Sequence, residues 1–327
     1  MYLDGKVILV TGGTGSFGKK FVEIVLKRCK TKKLIIFSRD EMKQYEMNKT
    51  FSPEKYNNLR YFIGDVRDTD RLHRAFNGVD IIIHAAALKI VPTAEYNPFE
   101  AVKTNIIGAE NVINLAIDNN VKKVLALSSD KAANPINLYG ATKLCAEKMF
   151  VAANNYSPRS TKFSVVRYGN VLGSRGSVVP FFKECAKLGV IPITDKRMTR
   201  FWITLEQGVE FVLSCLEDMQ GGEIFIPKIP SMKIVDLAEA IYPGYKQKII
   251  GIRAGEKLHE TLVPSDDGIY TYELRDRYIT YPKVAGRKNN KKRGIYLDSD
   301  FKGYRSDNNP DWLNVGQLRK LAKLERY

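Results

Sequence analysis

The chain has 327 residues, 44% of them hydrophobic and 27% charged, with a formal net charge of +16 at pH 7. This length exceeds what one ordinary core needs and the composition is globular, so disorder is excluded and a large domain with a smaller appendage is expected. No apolar run approaches the roughly 20 residues of a membrane span, so no membrane partner is expected.

Residues 1–6 (MYLDGK) lead straight into an apolar run and do not read as a signal peptide, so cytoplasm is the expected location. The first half then alternates apolar runs with amphipathic segments. Residues 6–10 (KVILV), 33–37 (KLIIF), 59–62 (LRYF), 79–86 (VDIIIHAA), 123–127 and 163–167 (FSVVR) read as strands. Helices are expected over 17–28, with Phe21, Ile24 and Val25 on one side, and over 68–76, within 98–119 and over 138–154. Near-continuous β-branched strands separated by helices mean a parallel sheet covered on both faces, an α/β fold.

The second half is less regular, with helices expected over 178–188, 205–219 and 234–241 and strands over 223–227 (EIFIP) and 248–252. The expected division is a sheet domain over 1–169, to which 200–224 returns, and a smaller, discontinuous lobe over 170–199 and 225–327.

Cys29, Cys145, Cys185 and Cys215 are scattered without a C-x-x-C and read as reduced core thiols. His73, His84 and His259 are too dispersed for a metal cluster, so no metal is expected. The positive charge suits an anionic partner: nucleic acid, a phosphorylated ligand or a membrane surface. Its densest cluster, Lys283, Arg287, Lys288, Lys291, Lys292 and Arg293, lies in a polar stretch and reads as a solvated loop. No zinc-finger or RNA-recognition pattern accompanies it, so no nucleic acid is expected.

Between the first strand and first helix stands Thr11-Gly12-Gly13-Thr14-Gly15-Ser16-Phe17-Gly18, spaced G-x-x-G-x-x-G. There a dinucleotide pyrophosphate would rest on the helix N-terminus, with glycines letting the backbone approach it. The next strand ends Ser38-Arg39-Asp40. Arg39 could pair with a 2′-phosphate, with Lys43 helping, which favours NADP; Asp40 keeps NAD open as a ribose ligand. Asp65 and Val66 follow the third strand near an adenine site, and Ala85 follows the fourth, where small residues leave room for a cofactor.

The fifth strand opens onto SSDKAANPINLYGATK, residues 128–143. Tyr139 and Lys143 stand at i and i+4 on a helix and project from one face. A free tyrosine, with a pKa of about 10, is a poor base at neutral pH; a nearby ammonium favours the phenolate. The pair can then take a proton from a sugar hydroxyl while hydride leaves the same carbon. Just before it, Ser129, Asp130 and Lys131 put a hydroxyl, an acid and a base at the lip of the sheet.

The Gly12/Gly15/Gly18 turn, Ser129 and Tyr139–Lys143 resemble the extended short-chain dehydrogenases/reductases. Further stretches (GGTGSFGK, FIGDVRD, HAAALK, AEYNPFEAVKTNI, RYGNVLGSRGSVVPFF, MTRFWI, GGEIFIPKIPSMK, IIGIRAGEKLHE) are similar to the inverting UDP-N-acetylglucosamine 4,6-dehydratases among them. The resemblance runs from about residue 5 to about residue 265. It implies a Rossmann-type doubly wound parallel sheet with a smaller C-terminal substrate lobe, bound NAD(P), and UDP-GlcNAc as substrate. It also implies a place at the start of pseudaminic acid synthesis, and homo-oligomers in which helices 98–119 and 138–154 pair between subunits. In this chemistry Tyr139 takes the 4-hydroxyl proton as C4 is oxidised. Lys131 would remove the C5 proton and Asp130 protonate the departing 6-hydroxyl. Lys131 must then be neutral and Asp130 protonated. Retaining relatives carry Asp-Glu at this pair, which links Lys131 to inversion at C5. By position, Asn170, Arg200, Arg253 and Glu256 would contact the substrate, with Lys89 near sugar and cofactor. Each could instead be structural: Arg253 and Glu256 as a surface pair, Arg200 stacked beside Phe201-Trp202, Asn170 as a turn cap. The alternatives are a dehydratase/5-epimerase of capsule or O-antigen synthesis, a plain 4-epimerase, or a non-catalytic nucleic-acid-binding or redox-sensing protein on the same sheet.

Overall fold

The structure, a computed structural model, describes residues 1–157, 161–173, 178–186, 189–281, 294–298 and 300–321. The basic cluster from Lys283 to Arg293 lies outside the described residues.

Six parallel strands form the centre: β1 (Val7–Thr11), β2 (Lys33–Ser38), β3 (Leu59–Ile63), β4 (Ile81–His84), β5 (Lys123–Ser129) and β6 (Lys162–Tyr168). They lie in the order β3-β2-β1-β4-β5-β6. Between them run helices α1 (Ser16–Arg28), α2 (Glu41–Thr50), α3 (Thr69–Phe76), α4 (Val91–Tyr96), α5 (Pro98–Val102), α6 (Gly108–Asp118) and α7 (Leu138–Tyr156). Every residue of β1 and β4 is buried, the pattern of strands covered on both faces. The strand order reverses between β1 and β4, opening a crevice at the carboxyl ends of the strands. This is the α/β sheet expected from the alternation, doubly wound as the resemblance implies.

Local sequence explains most boundaries. Asp40 caps α2 by accepting from the Lys43 N–H at 3.0 Å, and Asp68 caps α3 through the Arg71 N–H at 2.9 Å. The single helix expected within 98–119 is α5 and α6 joined by a π-helical turn, Lys103–Ile107. That extra residue per turn aims Asn105 inward. Its side chain accepts from the Leu88 N–H at 2.8 Å and donates to the Leu88 carbonyl at 2.9 Å, pinning the loop after β4.

The sheet extends further than the sequence indicates. Ile224–Pro227 pairs parallel to β6, and Arg277–Thr280, Thr271–Glu273 and Ile295–Tyr296 continue it antiparallel to ten strands. Residues 225–227, 271–273 and 277–280, which the sequence pattern assigns to the smaller lobe, are therefore strands of the main sheet. Ile224–Pro227 is the strand expected over 223–227, whereas Thr271–Glu273, Arg277–Thr280 and Ile295–Tyr296 are two to four residues long, too short a pattern to separate from loop. A second core of Phe182, Ile191, Met198, Trp202, Met232, Leu237 and Leu318 stands apart from the main one. Of the four cysteines, all free, Cys215 alone is buried; Cys29, Cys145 and Cys185 are half-buried, at the edge of the core rather than in it. Among the described residues no helix is long and apolar enough to cross a membrane.

Candidate active site

The turn after β1 packs against the chain leaving β4. Gly12 has φ +65°, and a Cβ there would lie 2.8 Å from the Ala86 nitrogen, so the position excludes other residues sterically and conformationally. Thr11 Oγ1 accepts from the N–H groups of Ala85 and Ala86 at 3.2 and 3.3 Å and shares a 2.9 Å hydrogen bond with His84 Nδ1. Burial, with Lys143 nearby, pulls the His84 pKa down to about 3 and keeps the ring neutral. Gly15 caps α1, and Thr14, Ser16, Phe17 and Gly18 line the cavity above it.

At the far end of that cavity lie Ser38, Arg39, Asp40, Lys43, Asp65 and Val66. Asp40 is paired with the Lys43 ammonium as well as capping α2, and these contacts hold its carboxyl below the usual range. Arg67 grips Asp65 at 2.8 Å, and Arg39 approaches it at 3.7 Å while remaining half exposed. Burial opposes the Asp65 charge, but Arg67 and Arg39 outweigh it and keep its pKa low. Both carboxylates expected to reach a ribose or adenine are thus committed to the protein's own cations and N–H groups.

At the carboxyl end of β5 the wall changes character. Ser129 caps a single 3-10 turn, Asp130–Ala132, accepting from the Lys131 N–H at 3.3 Å and donating its hydroxyl to Asp130 Oδ1 at 2.8 Å. This turn sits on the first turn of α7 because residue 140 is glycine: a Cβ there would lie 2.2 Å from the Lys131 carbonyl oxygen. The close packing brings Tyr139 and Lys143 beside Ser129, Asp130 and Lys131 on one cavity wall.

The electrostatics differ from expectation at three residues. Lys143 donates to the Leu127 carbonyl at 2.6 Å, and burial depresses its pKa to about 8. Burial raises the Tyr139 pKa; the relief comes from Lys131 and a hydrogen bond with Ser129, rather than from Lys143. The surroundings of Lys131 favour its ammonium over the neutral base the chemistry asks for. Its Nζ stands 3.1 Å from Asp130 Oδ1 and 3.2 Å from Glu260 Oε1. Burial opposes that charge, but the two carboxylates outweigh it and raise the pKa. Asp130 is 1% exposed, and burial, reinforced by Glu260, raises its pKa despite Lys131, the direction an acid role needs.

Glu260, which the motifs do not single out, is the missing member of this cluster. Arg200 belongs to it rather than to the cavity lining. Its guanidinium donates to the carbonyls of Thr199 at 2.7 Å, Leu258 at 3.1 Å and Lys257 at 3.0 Å, and Nε lies 3.8 Å from Glu260. Arg253 does line the cavity, as do Lys89 and Asn170. Glu256 accepts from the Arg253 N–H at 3.4 Å and shapes that loop instead of lining the cavity. Burial and Lys131 both lower the Lys89 pKa.

Together these walls enclose a cavity of about 810 Å³, within the range of ligand pockets. Buried polar atoms without a hydrogen-bond partner concentrate on it: Thr104 Oγ1, Ser128 Oγ, Asp130 Oδ2, Asn170 Oδ1 and Trp202 Nε1. Such atoms call for a polar ligand. Among the described residues no cluster of His, Cys, Asp and Glu is placed to hold a metal.

The sequence profile of the family described as "Polysaccharide biosynthesis protein" matches residues 8–282. The chain belongs to that family. It is 56% identical, over 96% of each chain, to a UDP-N-acetylglucosamine 4,6-dehydratase (inverting) of Campylobacter jejuni subsp. jejuni serotype O:23/36 (strain 81-176). It is also 45% identical to a UDP-glucose 4-epimerase of Rickettsia conorii (strain ATCC VR-613 / Malish 7), over 98% of this chain and 96% of that one. The X-ray structure of Pen from Bacillus thuringiensis superposes with a TM-score of 0.89 at 40% identity, covering 98% of each chain. The resemblance read from the motifs agrees with these family members.

Proposed function

We propose that this protein is a UDP-N-acetylglucosamine 4,6-dehydratase, a hydro-lyase, that uses NADP and inverts C5, and that it opens a pseudaminic acid pathway. The observation that carries the reading is the buried acid–lysine pair, Asp130 and Lys131, beside Tyr139 and Lys143 in one cavity.

A dinucleotide fits the residues present. The Gly12–Gly18 turn would hold its pyrophosphate at the α1 N-terminus, and the Ser38–Arg39–Lys43 end its adenosine. Because Asp40 is engaged in its own cap, Arg39 is the exposed group best suited to a 2′-phosphate, which favours NADP over NAD. When bound, the cofactor accepts hydride from C4 and returns it at C6. The chain's residues manage the protons. Tyr139 takes the 4-hydroxyl proton, with Ser129 hydrogen-bonded to it and Lys131 favouring the phenolate. Asp130, whose proton affinity burial raises, supplies the proton to the departing 6-hydroxyl once it has gained one. Lys131 in its amine form removes the C5 proton and returns one on the opposite face. Arg253, Asn170 and Lys89 are suited to the diphosphate and sugar.

A 4-epimerase, the name of the Rickettsia relative, would leave the buried Asp130 without a task, since epimerisation expels no hydroxyl. The exposed rings of Tyr96 on α4 and Phe99 on α5, 87% and 78% accessible, support a homo-oligomer.

The deciding experiment mixes the protein with UDP-GlcNAc and NADP in D₂O and follows the sugar by NMR. The expected product has a methyl group at C6, deuterium at C5 and L-arabino configuration at a 4-keto sugar, with no net NADPH absorbance. A product that keeps its C6 oxygen refutes dehydration; deuterium at C5 with retained configuration refutes inversion alone.

A further inference from the structure

Segment 255–260 is fastened to the catalytic turn at three points. Asn137 Nδ2 donates to the Gly255 carbonyl at 2.8 Å, Lys257 Nζ donates to the Ala133 carbonyl at 2.6 Å, and Lys131 Nζ donates to Glu260 Oε1 at 3.2 Å. Glu260 itself is 2% exposed, and its backbone is fixed by Ser306: its N–H donates to Ser306 Oγ at 2.9 Å and its carbonyl accepts from the Ser306 N–H at 2.8 Å. Its Oε2 has no hydrogen-bond partner but lies 3.9 Å from Lys257 Nζ. A carboxylate this buried is costly unless it answers charge, and it faces three cations: Lys131, Arg200 and Lys257.

We propose that Glu260 is a positioning residue that holds Lys131 within reach of Asp130 and sets when Lys131 becomes a base. The inference rests on the dehydratase reading for the task of Lys131, and on geometry for its hold on the amine. The ionised pair and the working pair contain the same number of protons. One proton moves from Lys131 Nζ to Asp130 Oδ1 along their 3.1 Å contact, leaving a neutral amine and a neutral acid. No other reactant is needed. Glu260 resists that transfer, because its anion favours the ammonium. It remains compensated afterwards, because Arg200 and Lys257 stay beside it.

The groups that bear on Lys131 come from every element around it: Asp130 from its own turn, Glu260 and Lys257 from the strap, Arg200 from Thr199–Thr204, Tyr139 from α7 and Lys89 from the loop after β4. Only Asp130 and Glu260 are acids. Removing the Glu260 charge should therefore lower the proton affinity of Lys131.

The test is Glu260→Gln, with Glu260→Asp as the rescue variant, read in two ways. The first is the pH dependence of Lys131 acetylation by limiting acetic anhydride, scored by mass spectrometry on the full-length protein. The second is the pH dependence of C5 deuterium exchange from UDP-GlcNAc. In Glu260→Gln the onset of Lys131 acetylation should move to lower pH by about one unit or more, the size expected for losing an adjacent opposite charge. The rising limb of C5 exchange should move with it, and Glu260→Asp should restore most of the shift. Unchanged acetylation overturns the proposal, even if exchange falls at every pH, because a merely structural role would lower the maximum without moving the limb. If Glu260→Gln does not fold, Glu260→Asp alone decides: an onset identical to the native protein at a lengthened contact overturns the proposal, and a smaller acidward move supports it. If acetylation shifts but the native protein never exchanges C5, the dehydratase reading fails while the hold of Glu260 on Lys131 stands.

Discussion

Tyr139–Lys143 and Asp130–Lys131 share one cavity wall and lie within fourteen residues of sequence, yet they are built in opposite ways. The first pair is local. Both side chains leave one face of α7, and the Lys143 ammonium ends on a carbonyl of the adjoining strand β5. Burial governs this pair, lowering Lys143 to about 8 and raising Tyr139. The second pair is answered from 129 residues away by Glu260, and beyond it by Arg200 and Lys257. There opposite charge overrides burial and favours the Lys131 ammonium. A helix can place two groups, but which proton each carries depends on what the rest of the chain brings against them.

The sharpest way to break this comparison is to remove one pair at a time. Lys131→Ala should slow C5 deuterium exchange by about 10²–10⁴-fold while C4 oxidation, followed as NADPH absorbance in a single turnover, changes less than about tenfold. Tyr139→Phe should slow C4 oxidation by a comparable factor. Equal loss of both steps in Lys131→Ala would show that the pairs do not work separately. A smaller effect is expected at the joint between the regions. Asn137 accepts from the Gly140 N–H at 2.8 Å, capping α7, and also ties down Gly255. Asn137→Ala should cost about 2 kcal/mol in urea unfolding, a cap plus one further hydrogen bond, and should raise KM for the nucleotide-sugar more than it lowers kcat. A cost limited to the cap, with KM unchanged, would mean that the strap does not depend on this residue.

The smallest effect belongs to the buried side of the local pair. His84 is neutral in the fold down to about pH 3, whereas the unfolded chain binds a proton near pH 6.5. The unfolded state therefore holds more protons between these values, and stability falls as pH drops. From pH 7.5 to 5.5 this one group should remove about 1.4 kcal/mol. Urea midpoints of the native protein and His84→Gln over that range should converge by this amount at the acid end; parallel curves would show that His84 does not stay neutral.

The first-half strands were legible because β-branched runs such as VILVT and KLIIFS leave no alternative to a doubly covered strand. Helix α2 was missed because its exposed, charged sequence carries little periodicity, and its start is marked by one residue, Asp40. Arg200 is expected at the substrate by position in the resemblance, with a structural arginine beside Phe201-Trp202 as the alternative. Two of its three carbonyl partners, Leu258 and Lys257, come from a loop that no local pattern could bring to it. Glu260 closes the stretch IIGIRAGEKLHE, but nothing in that stretch sets it apart from the other charged residues.

By itself the sequence determined the alternating sheet, the glycine turn over α1 and the clustering of Ser129, Asp130, Lys131, Tyr139 and Lys143, since each is set by spacings of a few residues and by periods of two and 3.6. Only the tertiary structure decided the antiparallel extension of the sheet and the protonation of the cluster. Both depend on contacts between distant segments, and charge and burial act through distance in space rather than along the chain.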